Sequence, residues 1–298
     1  MKRKIIFYLS AAFLIFVFLS GCGAGQEEAV SSDPSIPSSG QVAGAEDMAP
    51  TVELDTQGLT PIYGDSLKDG IYDITVDSSS SMFRITSCTL TVEDGEMTAA
   101  MTMSGTGYRY LYMGAGQEAA AAGADSYIPF AEENGAHIYT VPVEALDSGI
   151  ACAAFSKNKE MWYDRTLIFR SDSLPLSAFA DGVIATAESL GLADGSYTVE
   201  VTLSGGSGKV KVESPARLTV ENGVATAAIV WSSPNYDYMK VDGVRYDPES
   251  TEGNSIFVIP VRGFDFRIPV LADTIAMSTP HEIEYTLYFD SAAIQRQS

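Results

Sequence analysis

Few residues in this chain could assemble a catalytic or metal centre. Among 298 residues there are two histidines, His137 and His281. Neither stands beside a Gly-x-Ser-x-Gly motif, whose sharp turn would expose a nucleophilic serine. Gly205-Gly-Ser-Gly208-Lys209 has the glycines of a phosphate loop. It lacks the spacing, and the Ser or Thr after lysine, that hold phosphates and their cation, so it reads as a hairpin turn. Asp247-Pro-Glu249-Ser-Thr-Glu252-Gly-Asn254 carries oxygen donors without the positions of an EF-hand loop. It reads as a plain acidic loop. The expectation is a binding protein with no catalytic residues.

Aromatic placement is the positive signal. Tyr108, Tyr110 and Tyr112 alternate, so they are expected on one face of a strand. Tyr236 and Tyr238 repeat the spacing, with Trp231 upstream. Such a row serves either as a cross-strand ladder or as a ligand platform of apolar rings with polar tips, and both readings stay open. A second cluster combines Ser78-Ser-Ser-Ser81-Met82-Phe83 with Met161-Trp162-Tyr163. Leu167 and Phe169 mark the core-facing parity of the last strand-like run. Tyr163 shares that parity four residues earlier, where it caps the core or lines a pocket.

The elements that position these residues occur twice. Leu67-Lys-Asp-Gly70-Ile-Tyr72 matches Leu192-Ala-Asp-Gly195-Ser-Tyr197, and Leu90-Thr-Val-Glu-Asp-Gly95 matches Leu218-Thr-Val-Glu-Asn-Gly223. Tyr108-Arg-Tyr110 matches Tyr236-Asp-Tyr238. Tyr139-Thr-Val-Pro142-Val143 matches Phe257-Val-Ile-Pro260-Val261, and Thr166-Leu167-Ile-Phe169 matches Thr286-Leu287-Tyr-Phe289. An ordered set of matches at nearly constant offset is the signature of a duplicated unit. Each copy has short alternating runs rich in Val, Ile, Thr and Tyr, broken by Asp-Gly and Asn-Gly pairs, which is strand and turn punctuation. The expected fold is all-β: two tandem antiparallel Ig-like sandwiches, 65–171 and 192–291, joined by a linker at 172–191. Short helices are expected at 117–124 and 183–189, and Pro142 and Pro260 imply an edge strand or bulge. Cys88 and Cys152 align with Ala216 and Val270, so both should face the first core. They read either as buried thiols or as an intersheet disulfide.

Residues 1–22 have the pattern of a secretory signal, with Lys2, Arg3 and Lys4 before an apolar run at 5–19. Leu19-Ser20-Gly21-Cys22 resembles the bacterial lipobox. That resemblance implies cleavage before Cys22, lipidation of its thiol, and an extracytoplasmic domain anchored to the bacterial cell membrane. Losing the three basic residues takes the formal charge from −21 to −24. Residues 23–67 contain no Lys, Arg or His, and 23–64 reads as a disordered acidic tether. So acidic a chain has no means of holding a phosphate backbone, which excludes nucleic acid.

The first copy resembles the near-iron-transporter (NEAT) domain, a haem-binding sandwich of Gram-positive surface proteins. The order matches: an opening strand, the Ser-rich turn with Met82 and Phe83, the strand ending in Asp94-Gly95, and a closing hairpin whose last strand begins Tyr163-Asp164. The resemblance implies that Tyr163 ligates haem iron, with Ser81, Met82 and Phe83 as a lid. The family's supporting tyrosine, four residues on, is Leu167 here. Tyr108, Tyr110 and Trp162 complete the candidate ligand-binding set, with Tyr163 the candidate metal ligand. In the second copy the lid is Ser204-Gly-Gly-Ser-Gly208, and Met277-Ser-Thr-Pro-His281 stands in place of Tyr163. That copy either binds through His281 or acts as a spacer or partner-binding domain. The expected function is capture of haem for iron uptake, from solution or from a haem-carrying protein. The alternative is an adhesion or assembly module that binds protein or glycan.

Overall fold

The computed structural model describes residues 41–56, 59–250, 252–276 and 279–297. The signal segment and Cys22 lie outside the described residues, as do Met277 and Ser278.

Two antiparallel β-sandwiches follow one another. The first contains β1 (Gly70–Asp73), β2 (Thr75–Ser78), β3 (Ile85–Glu93), β4 (Glu96–Met103), β5 (Tyr108–Tyr112), the helix α1 (Gly116–Ala121), β6 (Ile128–Pro129), β7 (Ala131–Glu133), β8 (Ala136–Pro142), β9 (Ile150–Ser156) and β10 (Trp162–Arg170). Its sheets run β1-β3-β4-β8-β7 and β2-β10-β9-β5-β6. The second contains β11 (Gly195–Val199), β12 (Val201–Gly205), β13 (Ala216–Glu221), β14 (Val224–Val230), β15 (Tyr236–Val241), β16 (Val244–Tyr246), β17 (Ile256–Pro260), β18 (Arg267–Thr274), β19 (His281–Phe289) and β20 (Gln295–Arg296). Its sheets run β17-β14-β13-β11-β20 and β12-β19-β18-β15-β16, so strand order repeats between copies except for one fifth strand, which is β7 beside β8 in the first and β20 beside β11 in the second.

Alternation sets the faces. In β3, Cys88, Leu90 and Val92 point inward and are buried, and in β10 Leu167 and Phe169 are fully buried. Burying a side chain of this size contributes about 1.5–3 kcal/mol. The β3–β4 hairpin turns at Asp94 and Gly95 (φ 51° and 78°), and β13–β14 turns at Asn222 and Gly223 (φ 52° and 76°). Paired positive φ values match the twist of the flanking strands, which explains the Asp-Gly and Asn-Gly pairs. A clamp also repeats. Asp147 and Asp265 hold positive φ (55° and 58°). Asp147 accepts from the backbone N–H of Ser171 (3.0 Å) and from its hydroxyl. Asp265 does the same for Ser291 (2.9 and 2.5 Å).

Several expectations need correction. The tether ends earlier than residue 64: from Gln41 the chain lies on the first sandwich. Val42 pairs with Trp162, Thr51 with Ser80 and Ile62 with Leu146. Its backbone bridges and the Asp55–Arg267 pair (2.9 Å) are made with distant residues, which composition within the segment does not report. The 172–191 linker is packed: Phe179 meets Phe266 (ring centroids 5.0 Å), and Phe264 N–H donates to the Ala185 carbonyl (2.8 Å). Its expected helix at 183–189 is a run of turns. Gly205-Gly-Ser-Gly208-Lys209 is a crossover between sheets, because β12 and β13 belong to different sheets. His137 lies in β8, buried and stacked on Phe130 (3.6 Å). Cys88 and Cys152 both face the core and are free thiols.

Candidate functional site

A cavity of about 390 Å³ opens at one end of the first sandwich. Three connections build it: the turn after β2 supplies Met82, the β4–β5 loop supplies Ser104, Gly105 and Gly107 and leads to Tyr108, and the β9–β10 hairpin leads to Tyr163 and Arg165. Ser80 shapes the first turn, with Phe83 N–H donating to its carbonyl (3.0 Å) and Met82 N–H to its hydroxyl (3.3 Å). Met82 is thereby thrust outward, 69% exposed, while Phe83 is fully buried. So Met82 is a wall of the cavity, whereas Phe83 does not line it and packs in the sandwich core, with its ring 5.3 Å from that of Tyr108. Exposed Ser81 does not line the cavity.

The three tyrosines of β5 do not share a face. The register between β5 and β9 shifts between Tyr108 and Tyr110, and a bulge of this kind re-aims the next side chain. Tyr108 therefore turns toward the cavity, while Tyr110 and Tyr112 pack on the outer face of their sheet. Trp162 belongs to that outer cluster as well, fully buried against Phe155 (5.1 Å) and Tyr127 (5.0 Å) beneath α1. Tyr110 and Trp162 are thus packing residues and do not line the cavity. The same register shift occurs between Tyr236 and Tyr238 in the second copy.

Arg165 was missed from the sequence. It lies two residues after Tyr163 and two before Leu167, so strand parity alone places it inward. Its guanidinium carbon is 5.3 Å from the Tyr163 ring, its Nη2 donates to the Tyr108 hydroxyl (3.4 Å), and its Nη1 donates to the Asp164 carbonyl (2.6 Å). The residue is 7% exposed, and its buried Nε has no hydrogen-bond partner. Arg84 and Lys159 also line the cavity, with Asp47 as its one acidic residue. In a chain with 18 basic residues against 39 acidic, this is a local reversal of sign.

The equivalent end of the second sandwich is closed. Thr286 and Leu287 occupy the places of Thr166 and Leu167 in their strands, which puts Ile283 where Tyr163 stands and Tyr285 where Arg165 stands. Trp231, Tyr236 and Tyr285 pack together there (4.2 and 5.2 Å from the Trp231 ring). Gly206 explains the glycine loop: a Cβ at that position would meet the Tyr285 ring at 2.6 Å, and its φ is +56°. His281 is exposed at the start of β19.

A larger space of about 1040 Å³ lies between the sandwiches and is crossed by a charge cluster. Arg170 pairs with Asp77 (3.6 Å) and Asp172 (3.3 Å), and Arg267 pairs with Asp55 (2.9 Å). Burial holds the Asp77 carboxyl above the ordinary aspartate value, against the opposing Arg170. Both arginines are neutralised by the protein's own carboxylates, so the cluster fastens one sandwich to the other. Among the described residues, no group of three or more His, Cys, Asp and Glu side chains is arranged to hold a metal ion.

No family model matches the sequence, and no curated protein does. Among solved structures, a point mutant of IsdX2-NEAT5 in complex with haem is similar. It is 18% identical with a TM-score of 0.27, over 33% of this chain and 97% of that one.

Proposed function

We propose that the first sandwich binds haem in the cavity between Met82 and Tyr163, and that the second is a closed spacer or partner-facing domain. The observation that carries this reading is that Tyr163 and Met82 line one cavity together with Arg84, Lys159 and Arg165. The donor set fits the group. A phenolate oxygen is an established axial ligand of haem iron, and Met82 supplies a flexible apolar cover for a flat macrocycle. The guanidinium beside Tyr163 balances the negative charge of an iron-bound phenolate and can pair with carboxylates at the ligand's edge. When bound, haem would supply only its iron and its surface; the chain's own residues bind and orient it, without catalysing a reaction. Cavities of about 300–1,000 Å³ are the usual size for such ligands.

With the lipobox-like Cys22 upstream, the protein is a lipid-anchored extracytoplasmic binding protein of the bacterial envelope, placed to take up haem for iron acquisition. The test is titration of the purified chain with haemin, followed by absorbance. The expected result is a shifted Soret band that Tyr163→Ala abolishes. A spectrum identical to free haemin overturns the reading and leaves the adhesion or assembly module as the alternative.

A further inference from the structure

The cavity wall includes a piece of chain that belongs to neither sandwich. Residues 41–56 run over the first sandwich from the closing hairpin to the junction between domains. At one end Trp162 N–H donates to the Gln41 carbonyl and Ala43 N–H to the Trp162 carbonyl, both at 2.9 Å. At the other end Val52 N–H donates to the Ser79 carbonyl (2.8 Å), beside the Met82 turn. Between these attachments Asp47 and Ala49 enter the cavity wall, and the Met48 sulfur lies 3.7 Å from Nη1 of Arg165. Beyond them, Asp55 joins both sandwiches: its carbonyl accepts from Arg170 (2.9 Å) and its carboxylate pairs with Arg267 (2.9 Å).

Two features mark this strap as replaceable. Ala45, Glu46, Asp47, Ala49, Pro50, Thr51 and Val52 are all exposed. A segment with little buried apolar area opens locally at small free-energy cost. The second feature is Arg165, nine-tenths buried, with an unpartnered Nε and with the Met48 thioether sharing Nη1 with the Asp164 carbonyl. A sulfur is a weak acceptor for a buried guanidinium, and a carboxylate is a strong, geometrically matched one.

We propose that residues 43–51 form a self-occupying gate, in which Met48 holds Arg165 until an anionic ligand displaces it. This inference rests on the haem reading of the same cavity. Ligand entry then lifts the strap from the Met82 turn and from the β9–β10 hairpin. Because the strap continues into Asp55, loading loosens the Asp55–Arg267 contact and reports the state of the pocket at the domain junction.

The test uses the full chain and three variants. Ala43→Pro and Val52→Pro each delete one anchoring N–H without touching the cavity wall. Met48→Glu places a carboxylate where the thioether meets Arg165. Hydrogen exchange of residues 44–51 is read first without ligand, then with haemin, and haemin capture is followed by stopped-flow absorbance. The expected result is faster exchange and about tenfold tighter apparent haemin binding in the proline variants, as for a strap closed nine-tenths of the time. Met48→Glu should slow capture, and haemin should raise strap exchange in the unaltered chain. Equal haemin binding in all four proteins, with strap exchange unchanged by haemin, overturns the gate and leaves the haem reading standing. Binding by none of the four overturns the haem reading, and the gate falls with it.

Discussion

The hydroxyls of Tyr236 and Tyr285 lie 2.8 Å apart inside the second sandwich, at the place where the first sandwich sets Tyr108 against Arg165 at 3.4 Å. One substitution of partner separates a sealed domain end from an open one. An aromatic ring at the Arg165 position fills the space and satisfies its neighbour's hydroxyl internally. A guanidinium at the same place keeps the space polar and leaves donors for something else.

Tyr285→Phe should leave the Tyr236 hydroxyl buried without its partner and cost about 1–3 kcal/mol. Burial, reinforced by the Tyr285 hydroxyl, already pushes the Tyr236 phenol well above its ordinary value. Urea unfolding measures the loss. Haemin titration should be unaltered by this change, because the altered end belongs to the second sandwich. A double Tyr236→Phe, Tyr285→Phe variant should recover part of the loss, since no orphaned hydroxyl remains.

Gly64→Ala should destabilise the protein. A Cβ at Gly64 would stand 2.0 Å from the Gly95 carbonyl oxygen, a backbone atom of the tight β3–β4 turn that cannot swing aside. Such overpacking costs about 1–3 kcal/mol, read as a lower midpoint in thermal or urea unfolding. Gly123→Ala is the control: nothing lies within 4 Å of its added methyl, and its effect should stay within about 0.5 kcal/mol.

Cys88 and Cys152 should resist alkylation until the sandwich unfolds. Burial pushes each thiol up to about 12, so near neutral pH almost none is thiolate, the reactive form. Iodoacetamide labelling resolved by peptide mass should mark both only in denaturant. Rapid native labelling of Cys152, which is fully buried, would contradict this core.

Asp147 gives a pH dependence whose sign can be worked out. Burial raises its carboxyl above the ordinary aspartate value, and the Ser171 bonds oppose this without cancelling it. The folded chain therefore holds this proton more tightly than the unfolded chain does. The stability it contributes is full below about pH 3.9, the ordinary aspartate value, and is lost as pH rises through the raised value. Relative to Asp147→Asn, wild-type stability should fall as pH rises across that window in urea titrations. A relative stability that rises instead would mean the Ser171 bonds outweigh burial.

Much of the architecture is legible in the chain. The Asp-Gly and Asn-Gly pairs, the alternation around Leu90 and Leu167, and the repeated tyrosine spacing all encode local geometry. Local geometry is set by neighbours within a few residues, which is why both copies and the core-facing parity of Cys88, Cys152 and Tyr163 could be read. The helix at Gly116–Ala121 was legible for the same reason.

The site was legible only in part, because it depends on two events that alternation does not report. The bulge before Tyr110 parts Tyr108 from Tyr110 and Tyr112, so a row drawn at period two puts side chains on the wrong face. The outer cluster under α1 claims Trp162 for packing, which only the fold of a distant segment could decide.

By itself, then, the sequence determined a duplicated β-sandwich, its acidic charge and an inward-facing Tyr163, since period, turn chemistry and composition are local quantities. Tertiary structure alone decided that residues 41–56 lie on the first sandwich and that Arg165 gathers with Arg84 and Lys159. It also decided that Tyr285 seals the second domain. Each of these joins residues far apart in the chain, whose meeting is fixed by the packing of whole sheets and carries no signature at either partner's position.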